Sequence, residues 1–156
     1  MSSIPEPSFQ TTVLVRDTCL CLHVQRAARA LVRRYDDALR PIGLTSGQFS
    51  LLMSLNRPEP PAIAQVASLL AMDRTTLTAN LKPLERRGLV EVRTHERDKR
   101  RRVLVLTPDG RTLLAAAVPV WHRIQQAIEG LLAPTGEGPL VPSGPGRLRA
   151  DLLALS

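Results

Sequence analysis

Two clusters of polar and basic side chains are the part of this sequence best suited to binding an anion. The first cluster lies between residues 74 and 82 and contains Arg74, Thr75, Thr76, Thr78 and Lys82. The second occupies residues 93–102, where six of ten residues are arginine or lysine and two are acidic. So many like charges in a short stretch repel one another unless solvent or phosphate groups screen them. These residue types therefore favour noncovalent contact with a polyanion.

Each cluster has a plainer interpretation as an ordinary solvated surface. Polar residues along a helix are most often its solvent-facing side, and the first cluster alone would be interpreted that way. The second cluster favours DNA, because arginine in a narrow minor groove meets enhanced negative potential. We expect Asp98 to orient the Arg100 guanidinium through a charge-assisted hydrogen bond. The candidate contacts in this cluster are Arg97, Asp98, Lys99 and Arg100.

The first cluster must be positioned by a helix, and the local pattern predicts a helix-turn-helix. Residues 62–71 have the apolar spacing of a short helix, and Asp73 is a good N-cap for a second helix that ends at Gly88. Three leucines at positions 77, 81 and 84 give this second helix one apolar face. A short helix, a tight turn and a second helix form the arrangement that places one helix in the major groove of DNA.

The second cluster must be positioned by a hairpin. Apolar residues at 89–92 and 103–106 predict two strands, which leaves the basic residues in the loop between them. Apolar residues recur at helical spacing in residues 17–39, and Thr45 and Thr107 can each cap a further helix. Residues 133–146 are rich in proline and glycine, which favours an irregular connection. The predicted fold is mainly α, a winged helix-turn-helix with a two-stranded β wing.

Composition narrows the class of protein further. The chain has 156 residues, 44% of them hydrophobic and 3% aromatic, and a formal net charge of +7. This length suits one domain, and the scarcity of aromatic anchors disfavours a membrane-surface protein. No apolar run approaches the roughly 18 residues of a membrane span, and no secretory signal begins the chain, so we expect a cytoplasmic location. Cys19 and Cys21 are expected to be reduced thiols.

The residues around both clusters carry a family resemblance. The run MDRTTLTANLKPLERRGLV at residues 72–90, followed by ERDKRR and VLVLTPDG, resembles the multiple-antibiotic-resistance regulator (MarR) family. The similarity extends over about residues 19–131. It implies a homodimer whose N- and C-terminal helices pack together as dimerisation helices, while two wings and two recognition helices straddle a pseudo-palindromic operator in double-stranded DNA. The recognition helix departs from the family in containing Pro83, which cannot donate to the Ala79 carbonyl, so we expect a bend there.

The resemblance also implies a division of the chain. We expect residues 1–12 to form a flexible arm and residues 13–156 to form a single domain. Within that domain, residues 45–106 would be the winged helix-turn-helix lobe that binds DNA. Residues 13–44 and 107–156 would be the helical dimerisation region.

Cys21 and Tyr35 are candidates for a redox switch. Their spacing resembles that of the organic-hydroperoxide-sensing branch of the family, in which tyrosine hydroxyls hold a reactive cysteine near the start of the first helix. Fourteen residues of helix span roughly 21 Å, so the two side chains could meet only across a dimer of antiparallel helices. Gln25 stands where that branch has a second supporting tyrosine. The alternative, which we favour, is that Cys21 is a small buried apolar residue.

The sequence thus predicts a sequence-specific DNA-binding transcriptional regulator. We expect repression by occlusion of a promoter, with release by a small-molecule inducer or an oxidant. The alternative from another class is a winged-helix protein-interaction module without DNA binding, which would favour a neutral wing. No phosphate loop, nucleophile elbow or metal-hydrolysis pattern is present, so we expect neither an enzyme nor a cofactor or metal site.

Overall fold

A computed structural model describes residues 6–132 and 145–155. The helices are α1 (Phe9–Thr18), α2 (Leu20–Leu39), α3 (Ser46–Leu55), α4 (Ile63–Leu69), α5 (Arg74–Arg86), α6 (Pro108–Leu131) and α7 (Pro145–Leu153), with a 3-10 turn at Arg40–Ile42. The strands β1 (Val90–Thr94) and β2 (Arg102–Leu106) pair as an antiparallel hairpin. The mainly α winged helix-turn-helix is confirmed. Most of the irregular connection predicted at residues 133–146 lies outside the described residues.

The chain divides into two compact units, residues 1–34 and residues 35–156. In the first unit, none of the residues of α1 is buried. Many apolar side chains of this unit are exposed to solvent in the single chain, namely Phe9, Leu14, Val15, Leu20, Val24, Leu31 and Val32. The first unit therefore has apolar surface that its own residues do not cover.

The start of the chain differs from the expected arm at residues 1–12. Helix α1 begins at Phe9, because the Ser8 side chain accepts a hydrogen bond from the Thr11 backbone N–H at 3.3 Å and caps the first turn. Prolines precede this serine, and they limit how far the helix extends back without preventing its start. Helix α1 therefore begins within the segment expected to be an arm.

The helix expected over residues 17–39 is also interrupted. Cys19 has an extended backbone, with φ −70° and ψ 106°, and separates α1 from α2. Its N–H still donates to the Val15 carbonyl at 3.0 Å, so it closes α1 before the chain restarts as α2 at Leu20. Apolar periodicity continues across this break, which is why the sequence pattern did not indicate it.

The core of the second unit is built mainly from leucine. The side chains of Leu39, Leu51, Leu52, Leu77, Leu81, Leu84 and Leu104 are almost completely buried. They come from α2, α3, α5 and β2, and Val66 of α4 belongs to the same cluster, so one core joins these five elements. The Phe49 ring stacks on Trp121 of α6 with centroids 6.3 Å apart. This core fixes the orientation of α5, the candidate recognition helix.

Tight contacts hold the start of α6 against the end of the helix-turn-helix. The Thr107 hydroxyl donates to the Gly88 carbonyl at 2.7 Å and accepts from the Gly110 N–H at 3.0 Å. Gly88 has φ +67°, a left-handed conformation that ends the recognition helix and favours glycine. At Gly110 a Cβ atom would lie 2.1 Å from the Leu89 carbonyl oxygen, so only glycine allows this approach.

Across residues 6–132 and 145–155, no helix combines the length and apolar character required to cross a bilayer.

Candidate nucleic-acid interface

Helix α5 places all five members of the first cluster on its solvent side. Leu77, Leu81 and Leu84 are buried and hold the opposite face against the core. Arg74, Thr75, Thr76, Thr78 and Lys82 are all exposed. The apolar face of α5 therefore turns the whole polar set outward, in the way a helix in a groove would require.

The first turn of α5 is capped by Asp73. Its carboxylate accepts from the Thr76 backbone N–H at 2.8 Å and from the Thr76 hydroxyl at 2.6 Å. These bonds lower the pKa of Asp73, the hydroxyl having the larger effect. The Thr78 hydroxyl donates to the Arg74 carbonyl at 2.7 Å. The hydroxyl protons of Thr76 and Thr78 are thus engaged inside the helix, whereas that of Thr75 has no partner among the described residues.

Pro83 lies inside α5, which continues as one helix to Arg86. Its carbonyl accepts from the Arg87 N–H at 3.2 Å, so helical bonding resumes after the proline. Leu81 and Leu84 are both buried on either side of it, and their packing holds the helix where the Ala79 carbonyl has lost its usual donor.

The hairpin presents the second cluster at its tip. Val90 pairs with Leu106, and Thr94 pairs with Arg102, so residues 95–101 form the loop. Arg93 is paired with Glu91 at 2.6 Å. By contrast, the side chains of Arg97, Lys99 and Arg100 form no ion pair with any residue the structure describes, so the tip is strongly positive.

Asp98 has a different role from the one expected of it. Its carboxylate accepts from the Arg100 backbone N–H at 3.0 Å, and no bond joins it to a guanidinium of the described residues. Its own carbonyl accepts from the Arg101 N–H at 2.9 Å. The predicted orientation of Arg100 by a charge-assisted bond was wrong, because a short aspartate side chain satisfies the turn's backbone donors first.

His95 is a residue of the wing that sequence reasoning missed. Its Nδ1 atom accepts from the backbone N–H groups of Arg97 and Asp98, both at 3.2 Å, and the His95 backbone N–H donates to the Arg101 carbonyl at 2.8 Å. A histidine directly before a run of charged residues was the only available signal, and by itself it does not indicate a turn.

Strand β2 and the loop before it are tied to the start of α4. Ala62 forms an isolated bridge with Val103, and the Leu104 N–H donates to the Pro61 carbonyl at 2.9 Å. The Arg101 guanidinium donates to Gln65 Oε1 at 3.3 Å, so this arginine contacts α4. These contacts hold the hairpin against the helix-turn-helix. The two basic and polar clusters therefore lie in the same compact unit, residues 35–156.

The structure places the two candidate redox residues in different units. Cys21 is exposed, and the Gln25 side chain donates to its sulfur at 3.1 Å, so the expectation of a buried cysteine was wrong for the single chain. Tyr35 donates its hydroxyl to Gln125 of α6. Partial burial raises the pKa of Tyr35, and the charge of Glu129 raises it further. The Tyr35 hydroxyl thus already has a partner within its own chain.

The described residues hold no group of three or more histidine, cysteine, aspartate or glutamate side chains that could bind a metal ion. The expectation of no metal site stays a prediction for the whole chain.

Comparison with known proteins agrees with this geometry. The model of the MarR family matches residues 44–101. The organic hydroperoxide resistance transcriptional regulator of Bacillus subtilis is 30% identical over 118 residues, which are 76% of this chain and 78% of that protein.

Solved structures show the same similarity. The transcriptional regulator MosR of M. tuberculosis, solved in complex with DNA, has 38% identity and a TM-score of 0.72, covering 88% of this chain and 92% of that one. The transcriptional repressor CouR, bound to a 23-mer DNA duplex, has 25% identity and a TM-score of 0.72, covering 97% and 96%. The family model, the relative and the DNA-bound structures agree, and the chain belongs to the MarR family of transcriptional regulators.

Proposed function

We propose that this chain is a transcriptional repressor that binds a pseudo-palindromic operator as a homodimer. The observation that carries the proposal is the pairing of an outward polar face on α5 with an unneutralised basic wing tip on the same unit. In this proposal Arg74, Thr75, Thr76, Thr78 and Lys82 lie at the major groove, where base edges are read. The wing residues Arg97, Asp98, Lys99 and Arg100 lie at the adjacent backbone and minor groove.

The helices outside the DNA-binding lobe position two copies of it on the DNA. In our proposal residues 45–106 are the DNA-binding lobe, and residues 13–44 and 107–156 supply the dimerisation helices, which set the distance between two recognition helices. Half-sites about one helical turn apart are the geometric expectation. A dimer on a promoter would exclude polymerase, and no catalytic step is needed. Because the ligand is chromosomal DNA, we place the protein's action in the cytoplasm.

Release from the operator requires a change in the dimer. A small molecule or an oxidant that changes the separation of the two recognition helices would lower affinity at both half-sites together. Cys21 is a candidate for the oxidant route because its sulfur is exposed and hydrogen-bonded by Gln25. The relative from B. subtilis is named for organic hydroperoxide resistance, which supports testing that route first.

The test is to titrate the protein against DNA from upstream of its own coding region, at several salt concentrations, with and without hydroperoxide. We expect tight binding that outcompetes random duplex and weakens steeply with salt, because phosphate contacts release counterions. Loss of binding on oxidation and recovery with thiol would support Cys21 as the switch. Absence of any sequence-preferring binding would contradict the proposal and favour a winged-helix protein-interaction module.

A further inference from the structure

The side of α5 directly opposite the core has an alanine near its centre. Successive helical residues are rotated by about 100°, so Thr75, Ala79 and Lys82 lie on the side facing away from the three buried leucines. All three are exposed. Ala79 has no polar side-chain atom, so the middle of the proposed reading surface offers only an apolar contact.

The surroundings of Ala79 strengthen its apolar character. A shallow depression over this part of the helix is lined by Arg74, Thr75, Thr78, Ala79 and Lys82. The Thr78 hydroxyl is turned back to the Arg74 carbonyl at 2.7 Å, which leaves the methyl group of that side chain for outside contacts. The depression therefore has methyl groups at its centre and a cationic side chain at each end.

In the major groove, base pairs that contain thymine present its C5-methyl group, and G·C pairs have no such apolar group. We propose that the depression around Ala79 receives a thymine methyl in each half-site, which makes Ala79 a specificity-determining residue. Arg74 and Lys82 flank that base and contact neighbouring phosphates. Thr76, whose hydroxyl is bound to Asp73, positions the first helical turn. This inference rests on the proposed function.

Replacing thymine with uracil in the operator isolates the methyl group. The two bases have identical hydrogen-bonding edges and differ only at C5. The operator is first obtained by selecting bound duplexes from a random library, and each thymine of both half-sites is then replaced in turn by deoxyuridine. Burying one methyl group changes affinity by about four-fold, so replacement in both half-sites is expected to weaken binding by about sixteen-fold at one thymine position.

Protein variants link the effect to one side chain. We expect Ala79→Gly to reduce the preference for the thymine operator over the uracil operator at that position, because glycine lacks the methyl group, and Ala79→Ser to reduce it because its hydroxyl makes the contact polar. Ala116→Gly is the matched control, since Ala116 is an exposed helical alanine on α6, and it should keep the full preference for thymine. The serine variant keeps the inference testable if glycine loosens the helix.

The outcomes separate this inference from the function it rests on. Sequence-preferring binding that no thymine-to-uracil replacement weakens would overturn the thymine contact and leave the proposed function standing. A thymine preference that is undiminished in both Ala79→Gly and Ala79→Ser would overturn the assignment to Ala79. Complete lack of sequence preference would overturn both the inference and the proposed function.

Discussion

At the scale of single residues, Asp73 has the most direct influence on the proposed reading surface. It accepts two hydrogen bonds from Thr76, so it satisfies a backbone donor that the helix start would otherwise leave unpaired. The same bonds fix the first turn, from which the exposed side chains of Arg74 and Thr75 extend into solvent. A change at this one carboxylate therefore affects both stability and binding.

We predict that Asp73 contributes to the acid sensitivity of the protein. Because the hydrogen bonds from Thr76 lower the pKa of Asp73 in the folded state, its stabilising effect is present above its unfolded pKa of 3.8 and is lost as pH falls through the lower folded pKa. Asparagine retains the cap without titrating. The free energy of unfolding of Asp73→Asn should thus fall less steeply with decreasing pH than that of the wild type. The difference between the two slopes corresponds to the uptake of at most about one proton on unfolding.

Urea unfolding at several pH values between about 7 and 3 measures this difference. Asp73→Ala serves as the comparison, since it loses the cap at every pH and should be destabilised at neutral pH as well. Identical pH dependence in the wild type and Asp73→Asn would show that the cap does not titrate in the way the hydrogen bonds indicate.

At the scale of elements, the wing is a hairpin closed at both ends. His95 and Asp98 accept hydrogen bonds from backbone N–H groups at the tip. Pro61 accepts from the Leu104 N–H and Gln65 accepts from the Arg101 side chain, so the hairpin is also bonded to the start of α4. The tip side chains are thus presented by a turn whose backbone donors are satisfied. Such a turn can place cations against phosphates with less loss of conformational entropy than an open loop.

We predict that replacing both Arg97 and Arg100 by alanine lowers operator affinity by roughly 10- to 100-fold near physiological salt and reduces the slope of log affinity against log salt by about two. The physical reason is the loss of two phosphate contacts, each of which releases counterions. Fluorescence anisotropy at four or more salt concentrations measures both quantities.

The matched control for this prediction is the double variant Arg111→Ala with Arg123→Ala. Both of these arginines are exposed on α6, so the control removes the same net charge outside the wing. Equal losses in the two double variants would mean that overall charge, and not the wing, governs binding.

At the scale of the whole molecule, exposed apolar side chains point to the homodimer typical of the family. In α1 and α2, Phe9 is 79% exposed and Leu20 is 74% exposed, and Leu131 at the end of α6 is 65% exposed. Large apolar surface left in water usually marks an interaction surface. A second copy of the chain that covers these helices would remove this cost and fix the spacing of the recognition helices.

We predict that Val24→Glu weakens the dimer. A charge buried at an interface without a partner is strongly unfavourable, and Val24 is an exposed apolar residue of α2. Sedimentation equilibrium should show a mass moving from twice 17.1 kDa toward 17.1 kDa at micromolar concentration, with operator affinity falling in parallel. Ser50→Glu adds the same charge at an exposed position on α3, outside the proposed dimerisation helices, and should remain dimeric.

A dimeric Val24→Glu variant with unchanged mass would place the interface elsewhere on the chain. A monomer that kept full operator affinity would instead contradict the proposal that two linked recognition helices are needed.

The sequence by itself determined those features that depend on residues close together along the chain. Helical periodicity placed Leu77, Leu81 and Leu84 on one face of α5, and the cap at Asp73 and the left-handed Gly88 gave its two ends. Two apolar runs on either side of a basic loop gave the hairpin. These signals act over a few residues, so the winged helix-turn-helix and the polar set on α5 followed from local rules.

Only the tertiary structure decided the contacts between residues far apart and the backbone geometry of short turns. Examples are the hydrogen bond from Tyr35 to Gln125 and the bridge from Ala62 to Val103. A third is the pair of backbone hydrogen bonds that His95 Nδ1 accepts at the wing tip. The break at Cys19 was equally hidden, since apolar spacing continues through it. Local pattern reports which side of an element is apolar, whereas the partner of each polar group depends on how the elements pack.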